Sequence, residues 1–215
     1  MYQLLAIGFA DPTLALSRGL IDGGFQTDAL AVMEGLRMPP SAVSQVASSF
    51  QAVTESIDNA DAGAFYHQLN VAYARLFIGP GPVVVSPYES IHTDEDPSAS
   101  GILIVGPVTS AVLKSYRQAG VSLLMGINDP PDHMAIELEF LYYLCDNEAG
   151  AWKTKDLATA EKWRGLQSAF TTDHLLKWGP PFCRQVRDAT RESFYAVLSL
   201  VAETFFSWES NFLRQ

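Results

Sequence analysis

The chain has few cysteines, no long apolar run and no secretory leader pattern, and each of these shortages excludes a class of protein. Only two of its 215 residues are cysteines, Cys145 and Cys183, and both lie in apolar, helix-like contexts. Unpaired buried thiols are therefore expected rather than a disulfide framework. No stretch is apolar enough over about 18 residues to span a membrane. Residues 1–5 lack the basic segment and small-residue cleavage site of a signal peptide, which predicts a cytoplasmic protein without stable membrane insertion.

Basic residues are scarce too, with 14 Lys and Arg against 24 Asp and Glu and a formal net charge of −10. The excess is uneven, because residues 77–151 contain ten acidic residues and only two basic ones, Lys114 and Arg117. This balance argues against nucleic acid and against an anionic membrane surface as partners. A cationic partner fits better, since complementary charge steers encounter and sets specificity, although solubility alone would also explain the excess.

Helical periodicity is present along most of the chain, whereas no convincing strand alternation occurs. With 48% hydrophobic residues the chain can form a substantial core. The spacing of apolar residues and of proline, glycine and capping residues predicts a first helix that Asp11 caps, that begins at Pro12 and that ends before Gly23-Gly24. It predicts further helices near 29–37, 41–57, 61–78, 107–119, 131–149, 155–172 and 182–206. We predict an all-α fold, an irregular helical bundle. It forms a single domain with an N-terminal lobe of about 1–127 and a C-terminal lobe of about 128–215.

A long segment rich in proline and glycine interrupts the helices at residues 79–101, with four prolines and three glycines. Loops of this length in a compact domain are usually functional or disordered. Tyr88 indicates that part of the loop is ordered, because aromatic side chains tend to be buried. An acidic cluster at residues 94–96 follows, and a hinge is predicted near residues 126–132.

The most informative short motif is Asp129-Pro130-Pro131-Asp132-His133, at the predicted start of an apolar helix. Either aspartate can accept hydrogen bonds from free amides at the helix start, and its charge suits the helix dipole. Capping does not require His133. A metal-dependent hydrolase that uses Asp132, His133, Glu137 and His174 is the alternative, since His133 and Glu137 share one helix face, but no recognised ligand spacing supports it.

Other catalytic and cofactor sites have weaker support. None of the serines lies in a nucleophile-elbow context. Residues 79–82, Gly-Pro-Gly-Pro, lack the lysine and the following helix of a phosphate-binding loop. We therefore predict no enzymatic activity and no bound cofactor, and no motif supports a third hypothesis, a nucleotide-responsive switch.

Several short motifs occur in an order that resembles the TorD/DmsD family of redox-enzyme maturation chaperones. The resemblance covers roughly residues 60–210. It is carried by Tyr73-x-x-Leu76-Phe77, Gly79-Pro80-Gly81, Pro87-Tyr88-Glu89-Ser90, Pro131-Asp132-His133, His174 and Trp178.

The resemblance implies an all-helical chaperone without catalysis of its own. Such proteins bind the twin-arginine signal peptide of a molybdenum-cofactor enzyme subunit. They hold the apo form of that subunit in the cytoplasm until its cofactor is inserted. The binding residues implied for this chain are Tyr73, Phe77, Tyr88, Glu89, Ser90, Asp132 and His133.

The chemistry of these residues agrees with a leader that has a basic head and an apolar middle. Arginine pairs bidentately with carboxylates, and an apolar peptide segment needs a groove lined by aromatic and aliphatic side chains. Tyr73 and Phe77 would form an apolar wall beside Tyr88. The expected assembly is a monomer or a domain-swapped dimer, because a stiff hinge between two lobes permits exchange.

Overall fold

The computed structural model describes residues 1–57, 61–79, 83–93, 106–121, 130–190 and 193–214. Within these ranges the regular structure is helical and no strand is present. A single isolated antiparallel bridge joins Tyr88 to His133. The prediction of an all-α fold is confirmed.

Eleven α-helices and two π-helical turns make up the described part of the chain. The α-helices are α1 (Tyr2–Phe9), α2 (Leu14–Ile21), α3 (Gly24–Gly35), α4 (Pro40–Ser56), α5 (Ala62–Tyr73), α6 (Glu89–Thr93), α7 (Pro107–Gln118), α8 (Met134–Lys153), α9 (Leu157–Phe170), α10 (Leu176–Ala189) and α11 (Ser193–Phe212). One π-helical turn, Ala74–Ile78, directly continues α5. The other, Thr171–Leu175, joins α9 to α10 without a break. Single π-helical turns often occur at functional sites.

Side chains cap some of the helix starts, and one predicted cap needs a correction. Helix α5 begins where the sequence predicts, and Asp61 caps it by accepting hydrogen bonds from the amides of Gly63 and Ala64. The predicted cap of α2 was Asp11, before Pro12, but the helix begins later and Thr13 accepts the amide of Leu16. A threonine hydroxyl performs the same capping role as a carboxylate, so the pattern predicted the helix but not its first residue.

The chain divides into two compact units. One comprises residues 3–86 and 180–215, and the other comprises residues 87–179. The predicted lobe boundary near residue 127 and most of the predicted hinge fall on residues 122–129, which lie outside the described residues. That boundary therefore stays a prediction.

In the first unit α4 packs against α11, and α2 packs against both α3 and α5. Phe25 lies edge-on to Phe50 and Phe194, with ring centroids 6.2 and 5.7 Å apart. Such pairs add to the free energy of burial. Helices α1 and α11 approach closely at Gly8, where a Cβ atom would lie 2.5 Å from Leu198 Cδ1. A larger residue at position 8 would therefore displace Leu198.

In the second unit α8 and α9 pack against each other along their lengths. An aromatic cluster of Tyr116, Phe140 and Phe170 fills the space between them and α7. The ring centroids of Phe140 lie 4.4 Å from those of Tyr116 and 4.8 Å from those of Phe170. This cluster anchors α7, which is the helix that faces α6.

Two sequence predictions are wrong in detail. The segment 79–101 was predicted to be a loop, yet it contains α6. The helix predicted at 182–206 is two helices, and α10 begins at Leu176 and continues through Pro180 and Pro181. Proline lacks the amide that an interior helical position donates. Here Trp178 and Phe182 flank the prolines and are fully buried, so tertiary packing holds the helix together.

Neither Cys145 nor Cys183 forms a disulfide, as predicted, but only Cys183 is buried, whereas Cys145 is partly exposed. Burial raises the pKa of the Cys183 thiol well above its usual range. In the described part of the chain no single helix has the length and apolar character needed to cross a membrane. Helices α1 and α2 meet these criteria only as a pair, and they are bent by 117°.

Candidate functional site

Asp132 links three segments of the second unit. Its Oδ2 accepts a hydrogen bond from the Ser90 amide at 3.1 Å, and its backbone carbonyl accepts one from the Glu89 amide at 2.9 Å. Its Oδ1 accepts the Thr109 hydroxyl of α7 at 3.3 Å. The side chain is only 1% exposed. Asp132 therefore caps α6, which lies far away in sequence, and not the helix that it precedes.

His133 is the N-cap of α8, a role that the sequence pattern assigned to aspartate. Its Nδ1 accepts a hydrogen bond from the Ala135 amide at 3.1 Å, so the ring proton must be on Nε2. The ring also meets Tyr88 edge to face, with centroids 5.3 Å apart. His133 is 3% exposed. Capping thus accounts for His133 as well as for Asp132.

We expect His133→Ala to lower the free energy of unfolding by about 1–3 kcal/mol, because it removes a helix cap and an aromatic contact. His133→Asn is the matched control, since asparagine is a good N-cap without an imidazole. Its loss should be about half as large, and denaturant titration of the three proteins measures both values. Equal losses for the two variants would contradict a capping role.

Glu89, the first residue of α6, pairs with His174 from the second π-helical turn. His174 Nδ1 lies 2.8 Å from Glu89 Oε2 and 3.1 Å from Oε1. The carboxylate is 2% exposed and the imidazole 8%. Phe170 stacks on the ring of His174, with ring centroids 4.7 Å apart. This pair fixes α6 to the π-helical turn.

Glu137 and Trp178 form a second buried polar contact beside the first. The Trp178 Nε1–H donates to Glu137 Oε2 at 3.0 Å, and both side chains are fully buried. Burial and the neighbouring charge of Glu89 raise the pKa of the Glu137 carboxyl well above its usual value. His92 of α6 stacks on Trp178, with centroids 5.3 Å apart. Helix α6 is therefore fixed by both of its ends.

Tyr116 is also buried, and its hydroxyl donates a hydrogen bond to the Pro131 carbonyl at 2.7 Å. Its pKa lies well above the usual value, first because of burial and then because of the carboxylates of Glu137, Asp132 and Glu89. The phenol stays neutral, and it holds the Pro130-Pro131 turn against α7. Sequence reasoning missed Tyr116 and Thr109, because neither residue belongs to a recognisable motif.

The side chains on the solvent side of this network are Tyr88 and Ser90, which are partly exposed, and Ile91, which is 48% exposed. The structure therefore divides the five predicted residues of this unit into two groups. Tyr88 and Ser90 reach the surface, while Glu89, Asp132 and His133 form the buried frame beneath them. Ile91 was not predicted, since a single isoleucine in a loop-like segment carries no signal.

Tyr73 and Phe77 lie in the first unit, and both are buried there. Their rings meet edge to face at 5.1 Å, and Phe77 also packs on Phe182 and Tyr195. They are core residues of that unit. Exposed aliphatic side chains follow them in sequence, namely Ile78, Val83 and Val84. The other predicted elements, Asp129 and the acidic residues 94–96, lie outside the described residues.

The four residues of the hydrolase hypothesis, Asp132, His133, Glu137 and His174, are all buried and directed at protein partners. In the ranges that the structure describes, no group of three or more potential ligand side chains is arranged to hold a metal ion. The arrangement is suited to holding α6 in place and to presenting its outer face.

Comparison with known proteins identifies the family. Residues 40–184 match the protein-family model described as nitrate reductase delta subunit, and this range is more than half of the chain. The chain belongs to this family. Its relatives include proteins named TorD and DmsD, so the resemblance to the TorD/DmsD family is confirmed.

Three relatives illustrate which proteins are similar to this chain. The chaperone protein TorD of Vibrio cholerae is 26% identical over 185 residues, which are 85% of this chain and 78% of that protein. A selenate reductase assembly chaperone protein of Thauera selenatis is 31% identical, over 70% of this chain and 80% of its own. A probable Tat proofreading chaperone DmsD of Haemophilus influenzae is 24% identical, over 64% and 58%.

A solved structure agrees with the fold. A crystal structure from Archaeoglobus fulgidus, described as that of a redox enzyme maturation protein, superposes with a TM-score of 0.50 and 19% identity. The match covers 96% of this chain and 91% of that one.

This member of the TorD/DmsD family is a maturation chaperone and not an enzyme.

Proposed function

We propose that the chain binds the twin-arginine signal peptide of a molybdenum-cofactor oxidoreductase subunit in the cytoplasm. It would hold the apo subunit during cofactor insertion, before export. The observation that carries the proposal is the buried network of Asp132, Glu89 and His174, which fixes α6 and leaves Tyr88 and Ile91 on its outer side. The name of the Haemophilus relative, a Tat proofreading chaperone, supports the same partner.

The energetic cost of this network supports a role in recognition. Buried charges contribute little net stability even when they are paired, so a hydrophobic core would stabilise the unit equally well. What such a network provides is a defined position for the segment that it holds, and that segment is α6. A signal peptide with an apolar middle requires such a fixed aromatic and aliphatic surface.

The charge distribution supports a partner with a basic head. Residues 77–151 carry a net charge of −8, and the acidic cluster at 94–96 follows α6 directly in sequence. Arginine binds carboxylates through two parallel hydrogen bonds, whereas lysine does not. We propose direct leader contacts for Tyr88 and Ser90, with the other five predicted residues in supporting positions.

A synthetic twin-arginine leader is expected to bind the full chain in calorimetry at low salt, and to bind less tightly as the salt concentration rises. Replacing the two arginines of the leader by lysines should weaken binding. Tyr88→Ala should weaken it about tenfold, a typical cost of removing an aromatic anchor.

Leu157→Ala provides the matched control, because Leu157 is an exposed side chain of the same unit that is 58% accessible. It should leave leader affinity unchanged. If Tyr88→Ala binds the leader as tightly as Leu157→Ala does, the α6 surface is not the binding site. Absence of binding to every leader tested would overturn the proposed function itself.

A further inference from the structure

Glu137 carries a buried oxygen that the structure leaves without a partner. The side chain is 0% exposed. Its Oε2 accepts the Trp178 indole hydrogen, but its Oε1 has no hydrogen-bond partner among the described residues. An unsatisfied buried carboxylate oxygen is costly, because the lost hydration is not replaced. Either the Glu137 side chain is strained or its carboxyl group is protonated.

The titratable groups around Glu137 come from every element packed on it. Glu89 of α6 lies within hydrogen-bonding reach, and Asp132 and Tyr116 contribute from the preceding turn and from α7. Asp132 already accepts from Ser90 and Thr109, and the Tyr116 hydroxyl already donates to Pro131. Neither of these two can therefore donate to Oε1.

The remaining neighbour is Glu89, which as a carboxylate can only accept. Two carboxylates in one buried site do not both ionise, because each charge disfavours the other and burial disfavours both. A proton on Glu137 Oε1 removes the repulsion and supplies the missing hydrogen bond, with the hydroxyl donating to Glu89. Glu89 then accepts from Glu137 on one side and from His174 on the other.

We propose that Glu137 is a positioning residue that keeps its proton at neutral pH and donates a hydrogen bond to Glu89, which fixes the leader-binding helix α6. The consequence for leader binding rests on the proposed function, while the proton and the position of α6 do not. A helix of five residues is too short to persist alone. Its anchors are the Asp132 cap, the stacking of His92 on Trp178, and Glu89.

The direction of the pH dependence follows from the raised pKa of Glu137. A group whose pKa is higher in the folded state stabilises fully at acid pH, and its contribution is lost as the pH rises through the folded value. When Glu137 loses its proton to the solvent, Glu89 faces a second negative charge and α6 loosens. Alkaline pH should therefore release α6, and mildly acidic pH should hold it.

Hydrogen exchange of the Ser90 amide, measured without leader and corrected for intrinsic rates, tests this directly. In the wild type its protection should fall by about tenfold or more between mildly acidic and alkaline pH. Glu137→Gln should keep the protection nearly constant, because its amide donates to Glu89 and its oxygen accepts from Trp178. Glu137→Ala should lose protection at every pH.

Infrared spectroscopy provides a readout that a purely structural role would not change. The wild type should show the carbonyl band of a protonated carboxyl at neutral pH, absent in Glu137→Gln and present in Glu139→Gln, whose glutamate is an exposed neighbour on α8. No such band, or Glu137→Gln exchanging like Glu137→Ala, would overturn the proposal. Because neither measurement uses leader, a failure here is distinct from failed leader binding, which would overturn the proposed function alone.

Discussion

Trp178→Ala is expected to lower the free energy of unfolding by about 5 kcal/mol or more. Removing a fully buried tryptophan leaves a cavity that costs about 3–5 kcal/mol. The variant also takes away the donor to Glu137 Oε2, and a buried oxygen left unsatisfied costs about 1–3 kcal/mol more. For a chain of this size the loss corresponds to a fall in Tm of roughly 10–20 °C, which calorimetric scanning would measure.

The chain offers a matched control for this variant in Trp152. Its Nε1–H also donates to a glutamate, Glu148, at 3.0 Å, but the side chain is 44% exposed. We expect Trp152→Ala to cost less than about 1 kcal/mol, as is usual at exposed positions. Trp178→Phe separates the two contributions, because it keeps most of the volume and loses only the hydrogen bond. Similar losses for Trp178→Ala and Trp152→Ala would contradict the assigned role of Trp178.

Much of the fold could be predicted from the sequence, because helices depend on local signals. Asp61 marks the start of α5, and the apolar period of the following residues predicts its buried face. The prediction failed at Pro180 and Pro181, where rules based on local backbone hydrogen bonds end a helix. The burial of Trp178 and Phe182 decides the outcome there, and burial depends on contacts that are distant in sequence.

Some members of the candidate site could be predicted from the sequence, but their roles could not. The motif at 129–133 indicated capping, and Asp132 does cap a helix, but that helix begins 43 positions earlier, at Glu89. A pattern of neighbouring residues cannot indicate which distant amide a carboxylate will meet. The pairing of Glu89 with His174 and of Glu137 with Trp178 is hidden for the same reason.

In the buried network of Asp132, Glu89 and His174, the substitution expected to lower stability most is Asp132→Ala. The variant removes the cap of α6, worth about 0.5–2 kcal/mol. It also leaves the buried Thr109 hydroxyl without its acceptor, worth about 1–3 kcal/mol. Together these predict a loss of about 1.5–5 kcal/mol in the free energy of unfolding. Ser90 amide exchange should become faster in the same variant, because that amide loses its acceptor.

Asp156→Ala is the matched control, since Asp156 caps α9 through the Thr159 amide at 3.1 Å but is fully exposed. It should leave Ser90 exchange and leader affinity unchanged. Asp132→Asn keeps the shape of the side chain and one acceptor oxygen while removing the charge. If it binds leader weakly with an unchanged Tm, Asp132 acts on the leader through its charge. If affinity and Tm fall together, Asp132 acts by holding α6, as its 1% exposure indicates.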